Sequence, residues 1–148
     1  MKLAQENPAL KILIADDDPD DRQLLALAFR EAQSPHIIKF VNNGEELMDH
    51  LESLIQANTA YQLPDLILLD LNMPKKDGRV ALKEIRSNQH LHKLNIIVFS
   101  TSISSEDNKF VTELAVINCI TKPCGFYELV DTVKNICNLQ SATPVPKS

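Results

Sequence analysis

Glycine is scarce in this sequence: the chain has three, Gly44, Gly78 and Gly125, and they lie far apart. A loop that cradles phosphate brings several glycines together, so that backbone N–H groups can approach the anion closely. No such cluster is present in the sequence. Its absence argues against a flavin-binding domain or another cofactor binder that depends on this kind of loop.

Cysteine is equally sparse. Cys119, Cys124 and Cys137 are odd in number and show no Cys-x-x-Cys spacing, which predicts neither a disulfide framework nor a thiolate metal site. Reduced and mostly buried thiols in a cytosolic protein are the expected state. His90 and His92 have no partners at ligand spacing, so we expect a solvated connector there and not a zinc site.

Positive charge is in the minority, with 15 Lys and Arg against 20 Asp and Glu and a net charge of −5. A nucleic-acid-binding domain needs a basic face for the phosphates, so no nucleic-acid partner is expected. Apolar runs are also short, and none approaches the roughly 20 residues that span a bilayer. Because residues 1–8 lack the apolar core of a secretion signal, we expect a soluble cytoplasmic protein with no membrane partner.

Short apolar runs alternate with amphipathic segments along the chain. The runs predict strands over residues 10–15, 37–41, 66–69, 96–99 and 117–120, each followed by a helix. Asp18 and Pro19 are typical of a helix start. Ser104 and Asp107 have the spacing of a capping box in which Asp replaces the usual Glu or Gln. Five strands alternating with five helices predict an α/β fold, a doubly wound parallel sheet covered on both faces.

The length of 148 residues suits one compact domain. We assign that domain to residues 10–140, after an N-terminal arm at residues 1–9. Residues 141–148, with Pro144 and Pro146, are predicted to form a disordered tail that is too short for an effector domain.

Polar residues follow the predicted strands at the edge where an open parallel sheet binds ligands. Asp16 and Asp17 follow the first strand, Asp70 follows the third, Ser100 follows the fourth, and Lys122 comes shortly after the fifth. In a doubly wound order these strands are neighbours, so their side chains are expected to surround one crevice. Each group alone has an ordinary explanation as a cap, a loop hydroxyl or a solvated lysine, and only their joint placement predicts a site.

The other acids of this region fit the ordinary explanation. Asp18, Asp20 and Asp21 are placed at a helix cap or in its first turn, where the helix dipole favours negative charge. They are therefore predicted to serve the helix and not the site.

The predicted site has the chemistry of phosphoryl transfer. Clustered carboxylates repel one another and need a compensating cation, and Mg²⁺ prefers such oxygen ligands together with phosphate and water. Lys122 supplies a point charge for an incoming anion, and Ser100 can donate a hydrogen bond to it. An Asp carboxylate can itself act as the nucleophile and form an aspartyl phosphate. A phosphatase of the dehalogenase type would need a second Asp at position 72, where this chain has Asn.

Four segments occur in the order and spacing of a known family. They are Ile-Leu-Ile-Ala-Asp-Asp-Asp-Pro at 12–19, Pro-Asp-Leu-Ile-Leu-Leu-Asp-Leu-Asn-Met-Pro-Lys-Lys-Asp-Gly at 64–78, Val-Phe-Ser-Thr-Ser at 98–102 and Ile-Thr-Lys-Pro at 120–123. Over residues 10–139 the chain closely resembles the receiver domains of bacterial two-component response regulators. It is most similar to small chemotaxis-regulator-like proteins without an output domain, including those paired with bacterial phytochrome kinases.

The resemblance implies a flavodoxin-like fold with strand order 2-1-3-4-5 and a role for each site residue. Asp70 would be the phosphoacceptor, Asp17 a direct Mg²⁺ ligand, and Asp16 a ligand acting through water. The backbone carbonyl of Asn72 would complete the metal shell. Ser100 would be the switch hydroxyl, and Lys122 would pair with the phosphoryl group. In the family the peptide bond between Lys122 and Pro123 is typically cis.

The resemblance also implies partners. A sensor histidine kinase would supply the phosphoryl group. The phosphorylated protein would then switch its binding to a downstream protein. It would not be an enzyme beyond its own phosphorylation and dephosphorylation. A phosphorelay intermediate and a non-phosphorylated interaction module are the alternatives, and homodimers occur in such families. One position departs from the family pattern: three residues before Lys122 an aromatic residue is usual, and this chain has Cys119.

Overall fold

A computed structural model describes residues 9–141, with side-chain detail up to Asn138. The strands are β1 (Lys11–Ala15), β2 (Ile37–Val41), β3 (Leu66–Leu69), β4 (Ile96–Ser100) and β5 (Asn118–Thr121). The helices are α1 (Pro19–Glu31), α2 (Gly44–Gln56), α3 (Gly78–Ser87), α4 (Ser105–Glu113) and α5 (Phe126–Ser141), with a short 3₁₀ helix at Ala60–Gln62.

The strands of the described residues form one parallel sheet in the order β2-β1-β3-β4-β5. Strand β1 pairs with β2 on one side and β3 on the other, so that Ile12 lies opposite both Ile38 and Leu66. Both central strands are buried along almost their whole length, as expected for strands covered by helices on both faces. The predicted doubly wound α/β fold and its strand order are confirmed.

Alternate residues of each strand point to opposite faces and build two cores. Leu13 packs with residues of α2, α3 and α4 on one face. Its neighbours Ile12 and Ile14 pack with residues of α1 and α5 on the other. The helices therefore cover both faces and leave the carboxyl edge of the sheet open.

The helix starts follow the predicted capping signals. Asp18 is the N-cap of α1, and its side chain accepts a hydrogen bond from the Asp20 N–H, with Pro19 as the first helical residue. At α4, the Ser104 side chain accepts from the Asp107 N–H and the Asp107 carboxylate accepts from the Ser104 N–H. The capping box is therefore complete, because the shorter Asp side chain still reaches the N-cap N–H.

Several details differ from the sequence predictions. The thiols are free, but Cys124 is exposed and Cys119 and Cys137 are only half-buried. Cys119 lies on the edge strand β5 and Cys124 lies in the loop after it. Strands β1 and β5 begin one residue later than predicted, at Lys11 and Asn118, and β4 and β5 extend one residue further, to Ser100 and Thr121, because the pairing of β4 with β5 runs from Asn118 to Thr121. The bond before Pro123 is not cis, as none of the described peptide bonds is. The predicted arm, apart from Ala9, and the predicted tail, apart from Ser141, lie outside the described residues.

Candidate acidic site at the carboxyl edge of the sheet

The backbone hydrogen bonds of the sheet continue past the strand ends and bring the site residues together. The Asp70 N–H donates to the Ala15 carbonyl over 3.1 Å, and the Lys122 N–H donates to the Ser100 carbonyl over 2.8 Å. Asp70 and Lys122 are thereby fixed to the ends of β1 and β4. The structure brings Asp16, Asp17, Asp70, Ser100 and Lys122 to one edge, as the sequence predicts.

The Asp70 carboxylate is buried and held at both of its oxygens. Its Oδ1 accepts hydrogen bonds from the Ser100 hydroxyl at 2.8 Å and from the Asn72 N–H at 3.0 Å. Its Oδ2 accepts from Lys122 Nζ at 3.0 Å. Because Ser100 is fully buried and Asp70 is 6% exposed, this carboxylate has one orientation and a narrow opening to solvent.

Lys122 lies at the centre of the negative charge. Its Nζ contacts Asp16 at 2.7 Å, Asp21 at 2.9 Å and Asp70 at 3.0 Å, and its side chain is 8% exposed. Burial acts to lower the pKa of Lys122, but the hydrogen bonds to Asp16 and Asp21 and the negative charges of Asp70 and Asp16 together outweigh burial and raise that pKa above its usual value. The ammonium group therefore stays charged throughout the physiological range of pH.

Asp21 is a site residue that the sequence analysis missed. It lies in the first turn of α1 beside Asp20, and both fit the helix-dipole explanation equally well. Its contact with Lys122 crosses 101 positions of the chain. No signal in the sequence separates Asp21 from Asp20, because the difference depends on which side of α1 faces Lys122.

Asp16, Asp17 and Asp70 form a cluster suited to a metal ion. Each can offer a carboxylate oxygen, and the three oxygens lie within 4.8 Å of one another. Asp16 is buried and Asp17 is exposed. Burial is the main cause that raises the pKa of Asp16, against the hydrogen bonds from Lys122 and the Asp18 N–H that lower it. All three ligands are oxygen atoms, and the carboxylates outnumber the ammonium groups, so the site keeps an excess of negative charge. Such a site fits a hard divalent cation such as Mg²⁺.

Residues 12–134 match the family model for the response regulator receiver domain. The chain belongs to this receiver family. It is 32% identical over 132 residues to the response regulator Rcp1 of Synechocystis sp., and the match covers 89% of each chain. Among solved structures, that of the phosphorylated cyanobacterial phytochrome response regulator RcpA is similar at a TM-score of 0.80 and 37% identity, covering 92% of this chain and 98% of that one. Mn²⁺-bound Rcp1 is similar at a TM-score of 0.79 and 30% identity, covering 94% and 99%.

In this receiver domain, Asn72 connects the acidic site to a second polar cluster. Its side-chain amide donates to Ser100 Oγ at 3.3 Å, and its Oδ1 accepts from Arg79 Nη1 at 3.4 Å. Arg79 in turn binds Asp77 and Asp107. A role for the Asn72 carbonyl as a metal ligand remains a prediction, since the contacts described involve its N–H and its side chain.

Cys119 occupies the position where receiver domains usually carry an aromatic residue. It pairs with Val98 across β4 and β5 and packs, half-buried, against the core beneath α3 and α4. Burial raises the pKa of its thiol, so the neutral form predominates at neutral pH.

Within residues 9–141, no helix is both long and apolar enough to cross a bilayer.

Proposed function

We propose that Asp70 accepts a phosphoryl group from a sensor histidine kinase in a Mg²⁺-dependent reaction, and that the phosphorylated domain changes its affinity for a downstream protein. The observation that carries the proposal is the arrangement around Asp70. One carboxylate is oriented by the Ser100 hydroxyl and faces the Lys122 ammonium, and it belongs to an acidic cluster suited to a divalent ion. Receiver domains use this combination to take phosphate from histidine kinases.

The residues divide the chemistry among them. An Asp70 oxygen attacks phosphorus, the bond from phosphorus to the kinase histidine nitrogen breaks, and an acyl phosphate forms. Lys122 exchanges a carboxylate partner for a phosphoryl oxygen and so balances the added charge. Ser100 is placed to turn its hydroxyl from Asp70 to that same group. Later attack by water releases phosphate and restores the carboxylate.

We assign the metal ligands as the family resemblance implies. Asp17, the exposed member of the cluster, would bind Mg²⁺ directly, Asp16 would act through water, and the Asn72 carbonyl would complete the set. Bound Mg²⁺ would neutralise the carboxylates and the charge of the transferred group. Support comes from the Mn²⁺-bound structure of the relative Rcp1.

The relatives also indicate the partner class. RcpA is named as a cyanobacterial phytochrome response regulator, which supports a phytochrome-type histidine kinase as the donor here. Free thiols at Cys119, Cys124 and Cys137 fit the cytoplasm as the compartment where the two would meet. The acceptor domain proposed for this role comprises residues 10–140.

Intact-mass spectrometry after incubation with phosphoramidate tests the proposal. We expect the protein to gain one phosphoryl group with Mg²⁺ and none with EDTA, and hydroxylamine should remove the group because it is an acyl phosphate. Asp70→Asn should abolish the gain. Asp49→Asn, which removes an exposed acid on α2, is the matched control and should label like the wild type.

Labelling of Asp70→Asn would move the acceptor to another residue. No adduct in the wild type with either Mg²⁺ or Mn²⁺ would contradict the proposed function and leave a domain that works only by binding.

A further inference from the structure

Helix α3 carries two arginines that hold opposite ends of α4. Arg79 binds the Asp107 carboxylate through both of its oxygens, with Nε to Oδ1 at 2.7 Å and Nη2 to Oδ2 at 2.9 Å. Asp107 is also part of the capping box at the N-terminus of α4. Two helical turns further along α3, Arg86 Nε donates to the Leu114 carbonyl, the C-cap of α4, at 2.7 Å.

These polar attachments matter because α4 buries few apolar side chains completely. Val111 is fully buried, the other buried side chain is Asp107 itself, and Phe110 and the C-cap Leu114 pack half-buried against the core. A helix of nine residues with one fully buried apolar side chain depends also on the polar contacts at its ends. The bidentate pair at one end and the Arg86 hydrogen bonds at the other therefore help to fix where α4 lies.

Only the Arg79 end is linked by described contacts to the phosphoacceptor. Arg79 Nη1 donates to Asn72 Oδ1 at 3.4 Å, the Asn72 amide donates to Ser100 Oγ at 3.3 Å, and Ser100 donates to Asp70 at 2.8 Å. The other hydrogen bonds of Arg86 go to the carbonyls of His92, Leu94 and Ala115, none of which belongs to the acidic site. The two ends of α4 are thus attached to different parts of the molecule.

We propose that Arg79 is a positioning residue that couples the state of Asp70 to the N-terminus of α4, while Arg86 holds the C-terminal end in both states. This inference rests on the proposed function. When the Ser100 hydroxyl turns to a phosphoryl oxygen, Asn72 loses its present geometry with Ser100, and its contact with Arg79 changes. The Arg79–Asp107 pair transmits that change to the capping box. An aromatic side chain at position 119 is not required for this route.

Amide hydrogen exchange of α4 with and without phosphoramidate and Mg²⁺ tests the coupling. In the wild type we expect exchange at residues 101–109 to change by about threefold or more on phosphorylation, while residues 110–116 change less. Arg79→Gln should abolish the change at 101–109 while the protein still gains the phosphoryl group by mass. Asp107→Asn should do the same, and it keeps a side-chain oxygen for the capping box should Arg79→Gln fold poorly.

Arg86→Gln is the matched control, because it also removes an α3 arginine that holds α4. It should speed exchange at residues 110–116 in both states and preserve the phosphorylation-dependent change at 101–109. The coupling would be overturned if Arg79→Gln and Asp107→Asn kept the phosphorylation-dependent change in exchange at residues 101–109. It would also be overturned if Arg86→Gln lost that change to the same extent. A wild type that labels without any change at 101–109 would overturn the coupling alone, whereas a wild type that does not label would overturn the proposed function and the coupling with it.

Discussion

Lys122 is the residue that holds the acidic site in one geometry. Its ammonium group contacts carboxylates from the end of β1, the first turn of α1 and the end of β3. A buried charge is tolerated only when it is paired and hydrogen-bonded in this way. The Lys122 charge therefore holds mutually repelling acids together, and it is the charge that we propose binds the phosphoryl group.

Asp17 and Asp21 should have different roles although both are acids of one site. Asp17 belongs to the metal cluster and Asp21 contacts Lys122. We expect Asp17→Asn to weaken Mg²⁺ binding by roughly tenfold or more, because a direct ligand is lost, and Asp21→Asn to weaken it by less than about threefold. Isothermal titration calorimetry with MgCl₂ measures both. Equal losses in the two variants would show that Asp21 is itself a ligand.

At the scale of elements, the loop that connects β3 to α3 packs closely against neighbouring backbone. The Gly78 N–H donates to the Leu71 carbonyl at 3.0 Å and closes the loop that follows Asp70. A Cβ at Gly78 would clash with the Asp70 carbonyl oxygen and lie 2.7 Å from Leu71 Cα. Gly44 is similarly close to the Lys76 carbonyl on the other side of the loop. The loop backbone therefore has little room to shift, and its course fixes the position of Asp70.

Gly78→Ala is therefore expected to disturb the site. The added methyl group meets backbone that cannot move aside without shifting Asp70, so we expect a loss of stability of about 1–3 kcal/mol and slower labelling by phosphoramidate. Urea unfolding and intact-mass time courses measure the two effects.

Gly125→Ala is the control, because its Cβ would meet the flexible end of the Glu128 side chain. It should leave labelling close to that of the wild type. Normal labelling of Gly78→Ala would show that the loop has more room than the backbone contacts imply.

At the scale of the whole molecule, the chain carries a net charge of −5, and part of its acid is concentrated at one edge of the sheet. Carboxylates gathered by folding repel one another in the folded state more than in the unfolded chain. An ion that binds only the folded arrangement removes this repulsion and stabilises the domain.

Mg²⁺ should therefore raise the Tm of the domain. When free Mg²⁺ is about a hundredfold above its Kd, the stabilisation is about 2.7 kcal/mol, which corresponds to a rise of roughly 5–10 °C for a chain of this size. Thermal unfolding followed by circular dichroism, with MgCl₂ or with EDTA, measures the shift. Asp17→Asn should lose most of it and the exposed-acid control Asp49→Asn should keep it, so an equal shift in both variants would indicate non-specific screening.

Much of the fold could be predicted from the sequence because its signals are local or periodic. The buried runs that became β3 and β4 predict strands, and the capping residues Asp18 and Ser104 mark helix starts within a turn of themselves. Alternation of strands and helices then leaves few topologies. Since parallel strands end at one edge, the meeting of Asp16, Asp70 and Ser100 followed from the topology alone.

Helix faces were less predictable. Leu24 and Leu27 share helical spacing with the buried Leu25 and Ala28, yet they are 43% and 39% exposed. An apolar stretch that extends around much of a helix does not say which part meets the sheet. The packing of α1 against both the sheet and α5 decided that.

The sequence by itself determined the order of the elements and the acids, hydroxyl and lysine that gather where the strands end. Only the tertiary structure decided which side chains touch across the chain. Asp21 meets Lys122 over 101 positions, and Arg79 meets Asp107 over 28. Such contacts depend on the direction in which each side chain leaves its element and on the space between packed helices, and neither quantity is encoded in local propensity or period.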